Sequence, residues 1–417
     1  MKLLISTYAC APNRGSEHAV GWNWTTEAHR QGHEVWAMAS TSQRAAIEAA
    51  CRADSSLAGI RWCFPEVPGW PLTPGVEPVW ERTYNLLWQR MALRHARALQ
   101  REVGFDLVHH LTWCGIRAPT FLGALGVPLL VGPIGGGETS PVALRDAFST
   151  RGKITEHIRD LSNATITFNP IVRGGLRDAR IIFVKTPETH DLLSTSMQCK
   201  SASFVEVTLQ REQICRPRAP SCTPPRLLFA GRLLYWKGAH IAIHALAELS
   251  RQSPQASLTI VGKGPEEARL RALAAELGVA ARTDFIAWLP QDRLFDLYDE
   301  HSLFVFPSLH DSGGTVVLES LARGLPVMCL DLGGPRQIVT PRSGIVVPTA
   351  GRNTAAVAGA MATEMARLFA DPTQLAALSR GAIARARDFL LRDQVARFYE
   401  LAADTLGLPA AIALAAA

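Results

Sequence analysis

Two cations and two carboxylates in the C-terminal half of the chain lie beside glycines and follow apolar runs. Arg232 and Lys237 stand in the segment GRLLYWKG, and Asp311 and Glu319 flank a glycine-containing turn that opens a helical pattern. Two cations that reach one anion would stabilise the negative charge that grows on a departing diphosphate. A carboxylate on a helix can accept two hydrogen bonds from a ribose diol, and one on a loop can accept them from sugar hydroxyls. These residue types predict a site for a ligand with both phosphate and hydroxyl groups.

Each of these groups also has an ordinary interpretation. The two cations can be solvated surface charges. Asp311 can be the N-terminal cap of a helix, and Glu319 can be an exposed helix charge. A third glycine loop, VGKGP at residues 261–265, also follows an apolar run, and three such loops in one half favour the ligand interpretation. One such loop would be a weak indication, since glycine also serves plain turns.

Apolar runs alternate with helical patterns along the whole chain, which is typical of parallel sheets covered on both faces. We expect one helix to end at Gly104 and a second, shorter one to run as far as Gly126. The proline-rich segment CRPRAPSCTPP separates two such alternating series. We therefore predict two doubly wound, Rossmann-like α/β domains. The predicted divisions are an N-terminal domain over 1–208, a linker over 209–225, a C-terminal domain over 226–388, and a helix and tail over 389–417 that cross back to the N-terminal domain.

Three polar segments of the first half also follow predicted strands. They are APNRGSE, which contains Gly15, Ser16 and Glu17; FDLVHH, which ends in His109 and His110; and VGPIGGGE, which contains Gly136, Gly137 and Glu138. The glycines of VGPIGGGE could let the backbone approach an acceptor, and Glu138 could hydrogen-bond one of its hydroxyls. A histidine at a strand end, taken alone, is more often a satisfied structural residue. A dinucleotide site is disfavoured, because no G-x-G-x-x-G motif follows the first strand.

In combination, the loops of the second half resemble the nucleotide-sugar half of family 4 glycosyltransferases. The resemblance rests on GR-x4-KG, G-x-GP and [D/E]-x7-E followed by LARGLPV, and it covers most of residues 226–350. FDLVHH resembles the family's strand that ends in Asp-x-x-His-x-His, with the second histidine one residue early. Asp311 stands where the family usually has glutamate, and Ser16 where it has the second of two glycines. The family has the GT-B fold, in which two Rossmann-like domains face each other across a cleft, and it retains anomeric configuration.

The resemblance implies roles for residues of both halves. The implied catalytic residues are His110, His109, Arg232, Lys237 and Asp311. The implied donor-binding residues are Gly15, Ser16, Gly231, Arg232, Lys237, Gly264, Leu289, Asp311, Ser312, Gly313, Gly314, Thr315 and Glu319. The implied acceptor-binding residues are Glu17, Gly136, Gly137 and Glu138. Arg232 and Lys237 would hold the diphosphate and Glu319 the ribose, while His110 or His109 would reach the reacting sugar.

The function implied by the resemblance is transfer of a hexose from a UDP- or GDP-sugar to a hydroxyl of a glycan or lipid-linked acceptor. The elements GSE and GW, within residues 15–22, resemble a branch associated with extracellular polysaccharide synthesis. The sequence has no Asp-x-Asp motif, so we expect no metal and no cofactor other than the nucleotide-sugar donor. Two alternatives stay open: a GT-B-fold nucleotide-sugar 2-epimerase and a non-catalytic nucleotide-sugar binder.

Composition sets weaker bounds on partners and location. The 417 residues carry a formal net charge of +6, which suits phosphate-bearing ligands or an anionic membrane surface. Eight scattered cysteines without metal-type spacing are typical of reduced thiols, and the sequence shows no signal-type or membrane-spanning run. We therefore expect a cytoplasmic protein without a nucleic-acid partner, and we leave its oligomeric state open.

A helix predicted over residues 78–103 combines a basic face with an apolar stripe. The basic face carries Arg90, Arg94, Arg97 and Arg101, and the stripe consists of Trp80, Tyr84, Leu87, Trp88 and Met91. Such a helix can rest at the inner face of an anionic membrane or receive a lipid diphosphate. It can equally be a core-packing helix with a solvated basic face.

Overall fold

Strands and helices alternate along the part of the chain that the computed structural model describes, residues 1–15, 17–70, 80–215, 220 and 223–408. As far as residue 206 the elements are β1 (Lys2–Ser6), α1 (Glu17–Arg30), β2 (Glu34–Met38), α2 (Arg44–Ala53), β3 (Arg61–Cys63), α3 (Glu81–Val103), β4 (Leu107–His110), β5 (Leu129–Ile134), α4 (Thr150–Thr165), α5 (Pro170–Arg177), β6 (Ile181–Val184), α6 (Pro187–Asp191), α7 (Thr195–Gln198) and β7 (Ser201–Ser203).

The second series repeats the alternation. Its elements are β8 (Arg226–Ala230), α8 (Ala239–Leu249), β9 (Ser257–Val261), α9 (Glu267–Glu276), β10 (Thr283–Ile286), α10 (Gln291–Glu300), β11 (Leu303–Phe306), α11 (Thr315–Ala322), β12 (Val327–Leu330), α12 (Pro335–Ile338), β13 (Gly344–Val347), α13 (Thr354–Phe369), α14 (Pro372–Arg387) and α15 (Leu391–Leu406). None of the described helices combines the length and apolar character that a membrane span requires.

The strands form two parallel sheets. Their orders are β3-β2-β1-β4-β5-β6-β7 and β10-β9-β8-β11-β12-β13. In each sheet the chain starts near the middle, winds to one edge and then returns to build the other side. The order reverses between β1 and β4 and between β8 and β11, and open sheets of this kind bind ligands at such switch points. The predicted class of two doubly wound, Rossmann-like sheets is confirmed.

Buried apolar strands hold the second sheet together. All four side chains of β11 and all four of β12 are buried, as expected for strands covered on both faces. The rings of Phe304 and Phe306 stack 5.8 Å apart, and Phe229 of β8 stacks on Phe306 at 6.0 Å. This packing fixes the positions at which the chain leaves the sheet into its loops.

The chain divides into two compact units. Helix α15 is grouped with the first of them, where Phe398 packs edge-on against Trp24 with ring centroids 5.1 Å apart. The first unit comprises Met1–Gly137, Asn163–Glu206 and the described residues from Leu391, and the second comprises Glu138–Ser162 and Val207–Leu390.

Residues 138–162 depart from the predicted domain boundary. The prediction places them in a domain over 1–208, whereas they belong to the second unit. Phe148 packs edge-on against Tyr235 with ring centroids 4.8 Å apart, and the carboxylate of Asp146 accepts hydrogen bonds from the backbone and hydroxyl of Thr354. These contacts account for the difference, because a pattern of strands and helices carries no information about which sheet an excursion covers.

Two further segments differ from prediction. The expected helix before Gly126 is a short 3-10 turn, Leu122–Leu125, because the preceding loop bonds elsewhere: the Ile116 amide donates to the Gly135 carbonyl at 2.8 Å. The predicted linker over 209–225 starts within the second unit, where the Leu209 amide donates to the Phe389 carbonyl at 2.9 Å. The linker residues 216–219, 221 and 222, the first two residues of the predicted 78–103 helix, and the tail from 409 lie outside the described residues.

Candidate functional site

Glycine loops of the second unit pack closely at the carboxyl edge of its sheet. Gly238 has a φ of +79°, and a Cβ at this position would lie 1.9 Å from the carbonyl oxygen of Pro307. A Cβ on Gly262 would lie 1.9 Å from the carbonyl oxygen of Gly231. No side chain fits at either position, so glycine is what allows the loops after β8, β9 and β11 to come together.

The backbone of Asp311 is supported by the loop that follows β12. The Gly334 amide donates to the Asp311 carbonyl at 2.7 Å, and a Cβ on Gly333 would lie 2.2 Å from that same oxygen. Asp311 therefore belongs to a loop whose course is fixed by a neighbouring strand connection rather than by its own sequence.

Lys237 and Asp311 form an ion pair on two of these loops. The ammonium of Lys237 donates to Oδ2 of Asp311, and the two side chains are 20% and 18% exposed. The Arg232 side chain is exposed, and within the described residues its guanidinium makes no hydrogen bond or ion pair. One of the two predicted cations is thus held against a carboxylate, while the other faces solvent.

Glu319 is a buried carboxylate on α11. The residue is 7% exposed, and its carboxylate accepts hydrogen bonds from Nε2 of Gln291 at 2.8 Å and from the hydroxyl of Tyr298 at 3.3 Å. Burial raises the pKa of Glu319, and these two hydrogen bonds oppose the rise. Its alternative interpretation as an exposed helix charge is therefore wrong.

Sequence reasoning missed Gln291 and Tyr298 as partners of Glu319. A signal was available, because Gln291 and Tyr298 are seven positions apart and positions at this spacing share one face of a helix. Leu289, one of the implied donor-binding residues, is half-buried after β10, and its neighbour Trp288 is 68% exposed.

The remaining predicted donor residues stand on the same loops. Leading into α11, Ser312 and Gly313 are half-buried, Gly314 is buried, and Thr315 is exposed as the first helical residue. Gly231 begins the loop after β8, and Gly264 lies in the loop after β9, where a Cβ would come within 2.2 Å of the Leu233 carbonyl oxygen.

His109 of the first unit has both ring nitrogens engaged. Nε2 lies 2.8 Å from the carbonyl oxygen of Gly132, and Nδ1 lies 2.9 Å from the hydroxyl of Tyr399. Because a carbonyl can only accept, Nε2 carries the proton and Nδ1 accepts from the tyrosine. The residue is fully buried, and burial lowers its pKa to about 4. His109 thus has the contacts of a neutral core residue.

His110 has one ring nitrogen without a partner. Nδ1 lies 3.3 Å from the hydroxyl of Ser6, whereas Nε2 is buried and has no hydrogen-bond partner among the described residues. Burial and the neighbouring His109 lower the pKa of His110 to about 3. Buried polar atoms are nearly always satisfied, so the orphaned Nε2 distinguishes His110 from His109.

The segment around Gly15 is held through Glu17. The carboxylate of Glu17, in the first turn of α1, accepts a hydrogen bond from the backbone amide of Trp113. A Cβ on Gly15 would meet nothing within 4 Å, so packing does not require a glycine there. Ser16 lies outside the described residues.

The predicted acceptor glycines are tied into the structure by backbone hydrogen bonds. The Gly136 carbonyl accepts from Arg117 at 2.7 Å, and the Gly137 carbonyl accepts from Asn163 at 2.8 Å. The Gly137 amide also donates to the hydroxyl of Thr189 at 3.1 Å. Glu138 opens the second unit and is 2% exposed, so its carboxylate is buried rather than solvent-facing.

In the part of the chain that the structure describes, no three His, Cys, Asp or Glu residues converge in an arrangement that could hold a metal ion. Metal independence itself stays a prediction.

Residues 210–382 match the family described as Glycosyl transferases group 1. Over 173 residues the chain is 40% identical to D-inositol 3-phosphate glycosyltransferase of Acidothermus cellulolyticus, covering 39% of this chain and 37% of that protein. Over 270 residues it is 25% identical to 2-deoxystreptamine glucosyltransferase of Streptomyces kanamyceticus, covering 60% of this chain and 66% of that protein. The chain thus spans little more than a third of the first relative, and the predicted resemblance to glycosyltransferases is confirmed for this region.

Solved structures extend the likeness to nearly the whole chain. Sucrose-phosphate synthase from Thermosynechococcus elongatus superposes with a TM-score of 0.63 at 18% identity, covering 97% of this chain and 99% of that one. Anabaena HepE in complex with UDP superposes with a TM-score of 0.62 at 15% identity, covering 97% of this chain and 100% of that one. At such identities the likeness shows the fold, and the predicted GT-B fold class is confirmed.

Proposed function

We propose that the protein is a glycosyltransferase that transfers a sugar from a nucleotide-sugar donor. The observation that carries the proposal is the pairing of Lys237 with Asp311 on glycine loops, with the exposed Arg232 on the same loop as Lys237. A cation beside a carboxylate suits a ligand in which a diphosphate adjoins a sugar. The group 1 match of residues 210–382 and the UDP complex of HepE support the proposal.

Glu319 supplies the ribose end of this proposed site. Its carboxylate already accepts from Gln291 and Tyr298, and an ionised carboxylate has about four acceptor positions. The remaining positions can accept from the two hydroxyls of a ribose. A buried carboxylate with fixed partners suits this task, because its orientation is set before the ligand arrives.

The proposed mechanism places the main electrostatic work on Arg232 and Lys237. As the bond between sugar and diphosphate breaks, negative charge grows on the diphosphate, and the two cations stabilise it. Lys237 exchanges its contact with Asp311 for the diphosphate, which frees the Asp311 carboxylate to accept hydrogen bonds from sugar hydroxyls. The departing diphosphate takes the proton of the acceptor hydroxyl, which attacks from the same face, so that no nucleophile from the protein is needed.

The finer assignments belong to this proposal. They are membership of family 4, retention of configuration without a metal or a further cofactor, a UDP- or GDP-linked hexose as donor, and a glycan or lipid-linked hydroxyl as acceptor in extracellular polysaccharide synthesis. The motifs around Lys237 and Asp311 support the first two, and the segment of residues 15–22 supports the last. His110 is favoured over His109 as the histidine that reaches the sugar, because its Nε2 has no partner within the described residues.

A panel of UDP-, GDP- and ADP-sugars tests the proposal. Thermal stabilisation and slow hydrolysis are measured for each donor, with Glu319→Ala alongside. We expect at least one nucleotide sugar to stabilise the wild type and to be hydrolysed, and Glu319→Ala to lose most of that stabilisation. If no nucleotide sugar binds the wild type, the proposal fails.

The same panel separates the alternatives. Formation of a 2-epimer together with release of free UDP, without any acceptor, would indicate an epimerase. Donor binding without hydrolysis or transfer, with Arg232→Ala changing affinity and nothing else, would indicate a non-catalytic binder.

Membrane contact and cytoplasmic location are also part of the proposal. On α3 the four arginines from Arg90 to Arg101 are exposed, but Tyr84 and Trp88 of the apolar stripe are fully buried. Leu87 and Met91 are half-buried, and Trp80, which is 76% exposed, precedes the first residue of α3. Helix α3 itself therefore offers charge with little exposed apolar surface. A different helix has that face: Ile154, Ile158 and Leu161 of α4 are 54%, 64% and 66% exposed.

The charges on α4 indicate which surface its apolar row would contact. Arg151 and Lys153 are exposed beside the row, while the carboxylate of Glu156 is buried and that of Asp160 is paired with Arg145. Cations next to apolar side chains are typical of helices that rest on anionic lipid. We therefore place the proposed membrane contact on α4, with the arginines of α3 as an electrostatic supplement.

A further inference from the structure

A buried carboxylate outside the predicted site connects two of the donor loops. Glu156 of α4 is fully buried in the second unit. Its Oε1 accepts a hydrogen bond from the hydroxyl of Tyr235 at 3.0 Å and lies 3.2 Å from Nε2 of His310. Tyr235 belongs to the loop of Lys237, and His310 immediately precedes Asp311. A single side chain therefore reaches both loops that carry the ion pair.

The carboxylate is also held from behind. Its Oε2 accepts a hydrogen bond from the Ser140 amide at 3.0 Å and lies 3.9 Å from Nη2 of Arg145. Arg145 in turn donates to the Ser140 carbonyl at 2.9 Å and forms a two-bond ion pair with Asp160, one turn further along α4. Residues 138–162 thus present Glu156 in one fixed position.

The loops that carry Lys237 and Asp311 also contact each other through residues next to this ion pair. The ring of His310 stacks on that of Trp236 with centroids 4.9 Å apart and planes inclined by 20°. The Trp236 carbonyl accepts hydrogen bonds from the Leu309 amide at 2.8 Å and from the Ser308 hydroxyl at 3.3 Å. A change at His310 therefore acts directly on Trp236, which precedes Lys237, and on Asp311, which follows His310.

We propose that Glu156 is a positioning residue for the donor, which through His310 and Tyr235 sets the relative placement of Asp311 and Lys237. The inference rests on the proposed function, because it assigns those two residues to the donor. Catalysis by electrostatic stabilisation requires such groups to be fixed before the reaction, and displacements of an ångström are costly. Glu156 touches no part of the proposed ligand and acts through the loops.

The charge state of Glu156 suits this role. Burial by itself raises the pKa of a carboxyl, but the nearby His310, the Ser140 amide and the Tyr235 hydroxyl together lower the pKa of Glu156 to about 2. The group is therefore an anion at neutral pH. An anion accepts stronger hydrogen bonds than a neutral amide of the same shape, so Glu156→Gln weakens the proposed positioning of the loops while it preserves the side-chain volume.

The test is steady-state turnover of the best nucleotide sugar from the panel by the full chain. We expect Glu156→Gln to lower kcat/KM about 10-fold, the effect of one charge-assisted hydrogen bond. Asp160→Asn is the matched control, because Asp160 lies on the same helix as Glu156 and pairs with the same Arg145 but touches neither loop. The activity of this variant should stay within about twofold of wild type. In a His310→Gln background, Glu156→Gln should cost only about the threefold that its bond to Tyr235 carries, since the contact with His310 is already lost.

The outcomes separate this inference from the proposed function. An active wild type with Glu156→Gln equally active, with an equal loss in Asp160→Asn, or with losses that add in the double variant overturns the positioning role and leaves the proposed function standing. A wild type that turns over no nucleotide sugar overturns both. Should Glu156→Gln fail to fold, Tyr235→Phe removes one hydrogen bond from Glu156 and keeps the ring packing on Phe148. Its kcat/KM should then fall about threefold, and wild-type kinetics in this variant would equally overturn the role.

Discussion

The polar residues at the carboxyl edges of the two sheets differ in their exposure to solvent. In the second unit Arg232 is exposed, and Lys237 and Asp311 keep about a fifth of their side-chain surface accessible. In the first unit His109 and His110 are both fully buried beneath the edge of β4. The second unit thus keeps its charged groups accessible to solvent, while the first buries at least one of its histidines as a core residue.

This difference shows what a motif does and does not specify. A polar residue directly after an apolar run lies at a strand end in both units, because the strand determines that position. Whether the side chain faces solvent depends on what covers the strand. Helix α15 supplies Tyr399 to His109, and a segment almost three hundred residues away cannot be read from FDLVHH.

The largest expected effect is at Lys237. Lys237→Met keeps the length of the side chain and removes the ammonium, so the proposed diphosphate site loses one of its two cations. We expect kcat/KM for the nucleotide sugar to fall about 10²- to 10³-fold, the usual cost of losing one donor to a developing anion. Steady-state kinetics with the best donor of the panel measure it.

A second substitution distinguishes the cause of that loss. If Lys237 matters because it neutralises Asp311, then Lys237→Met combined with Asp311→Asn should recover activity. If Lys237 contacts the diphosphate, the double variant should stay at least as slow as Lys237→Met. Recovery of activity in the double variant would mean that the loops of the second unit are not a preformed phosphate site.

The two histidines give the next largest expected effect. His109→Ala removes bonds to Gly132 and Tyr399 and leaves a cavity, so we expect a loss of about 2–4 kcal/mol in unfolding free energy with near-normal turnover per folded molecule. His110→Ala deletes an Nε2 that has no partner within the described residues, so we expect a smaller loss of stability and a fall in kcat of about 10²-fold.

Thermal unfolding and kinetics on the same preparations check this pair. The reverse pattern, with catalysis lost in His109→Ala and stability lost in His110→Ala, would contradict it. Equal losses of stability without loss of turnover would mean that both histidines are structural core residues and that neither contacts the sugar.

Some parts of the site could be predicted from the sequence and others could not. Although the contact of Gly238 with Pro307 joins distant positions of the chain, the loops themselves could be inferred from the spacing of glycines after apolar runs. The network of Glu156 with His310 and Tyr235 could not, because residues 138–162 follow the first sheet in sequence yet belong to the second unit. The likeness to known glycosyltransferases likewise gave the donor motifs and no information about α4.

Glu319→Gln should have a smaller effect, in which donor binding becomes weaker while the fold becomes more stable at neutral pH. Burial raises its pKa, so the folded state holds the proton more tightly than the unfolded state does. Stability therefore falls as pH rises from the unfolded-state pKa to the raised folded-state pKa, and stays lower above it. Glu319→Gln removes this fall, while the donor KM should rise about 10- to 100-fold through loss of the ribose contact.

Unfolding temperatures of both proteins across acid and neutral pH check the sign. The difference in favour of Glu319→Gln should be largest at neutral pH and shrink as the wild-type carboxyl becomes protonated. A variant that is less stable than wild type at neutral pH would mean that the bonds from Gln291 and Tyr298 outweigh the burial of the charge.

The smallest expected effect concerns the two candidate membrane helices, α3 and α4, which differ in how much apolar surface they expose. Ile154→Ser with Ile158→Ser removes apolar surface that α4 exposes, and binding to vesicles of anionic lipid should fall roughly 3- to 10-fold at any salt concentration. Replacing the four arginines of α3 by Gln should weaken binding at low salt and have little effect at high salt, because exposed charges are screened by salt and Tyr84 and Trp88 of the α3 stripe are buried. If the arginine variant binds vesicles as well as wild type at low salt, α3 has no part in membrane contact. If the isoleucine variant also does so, the exposed row of α4 has another purpose.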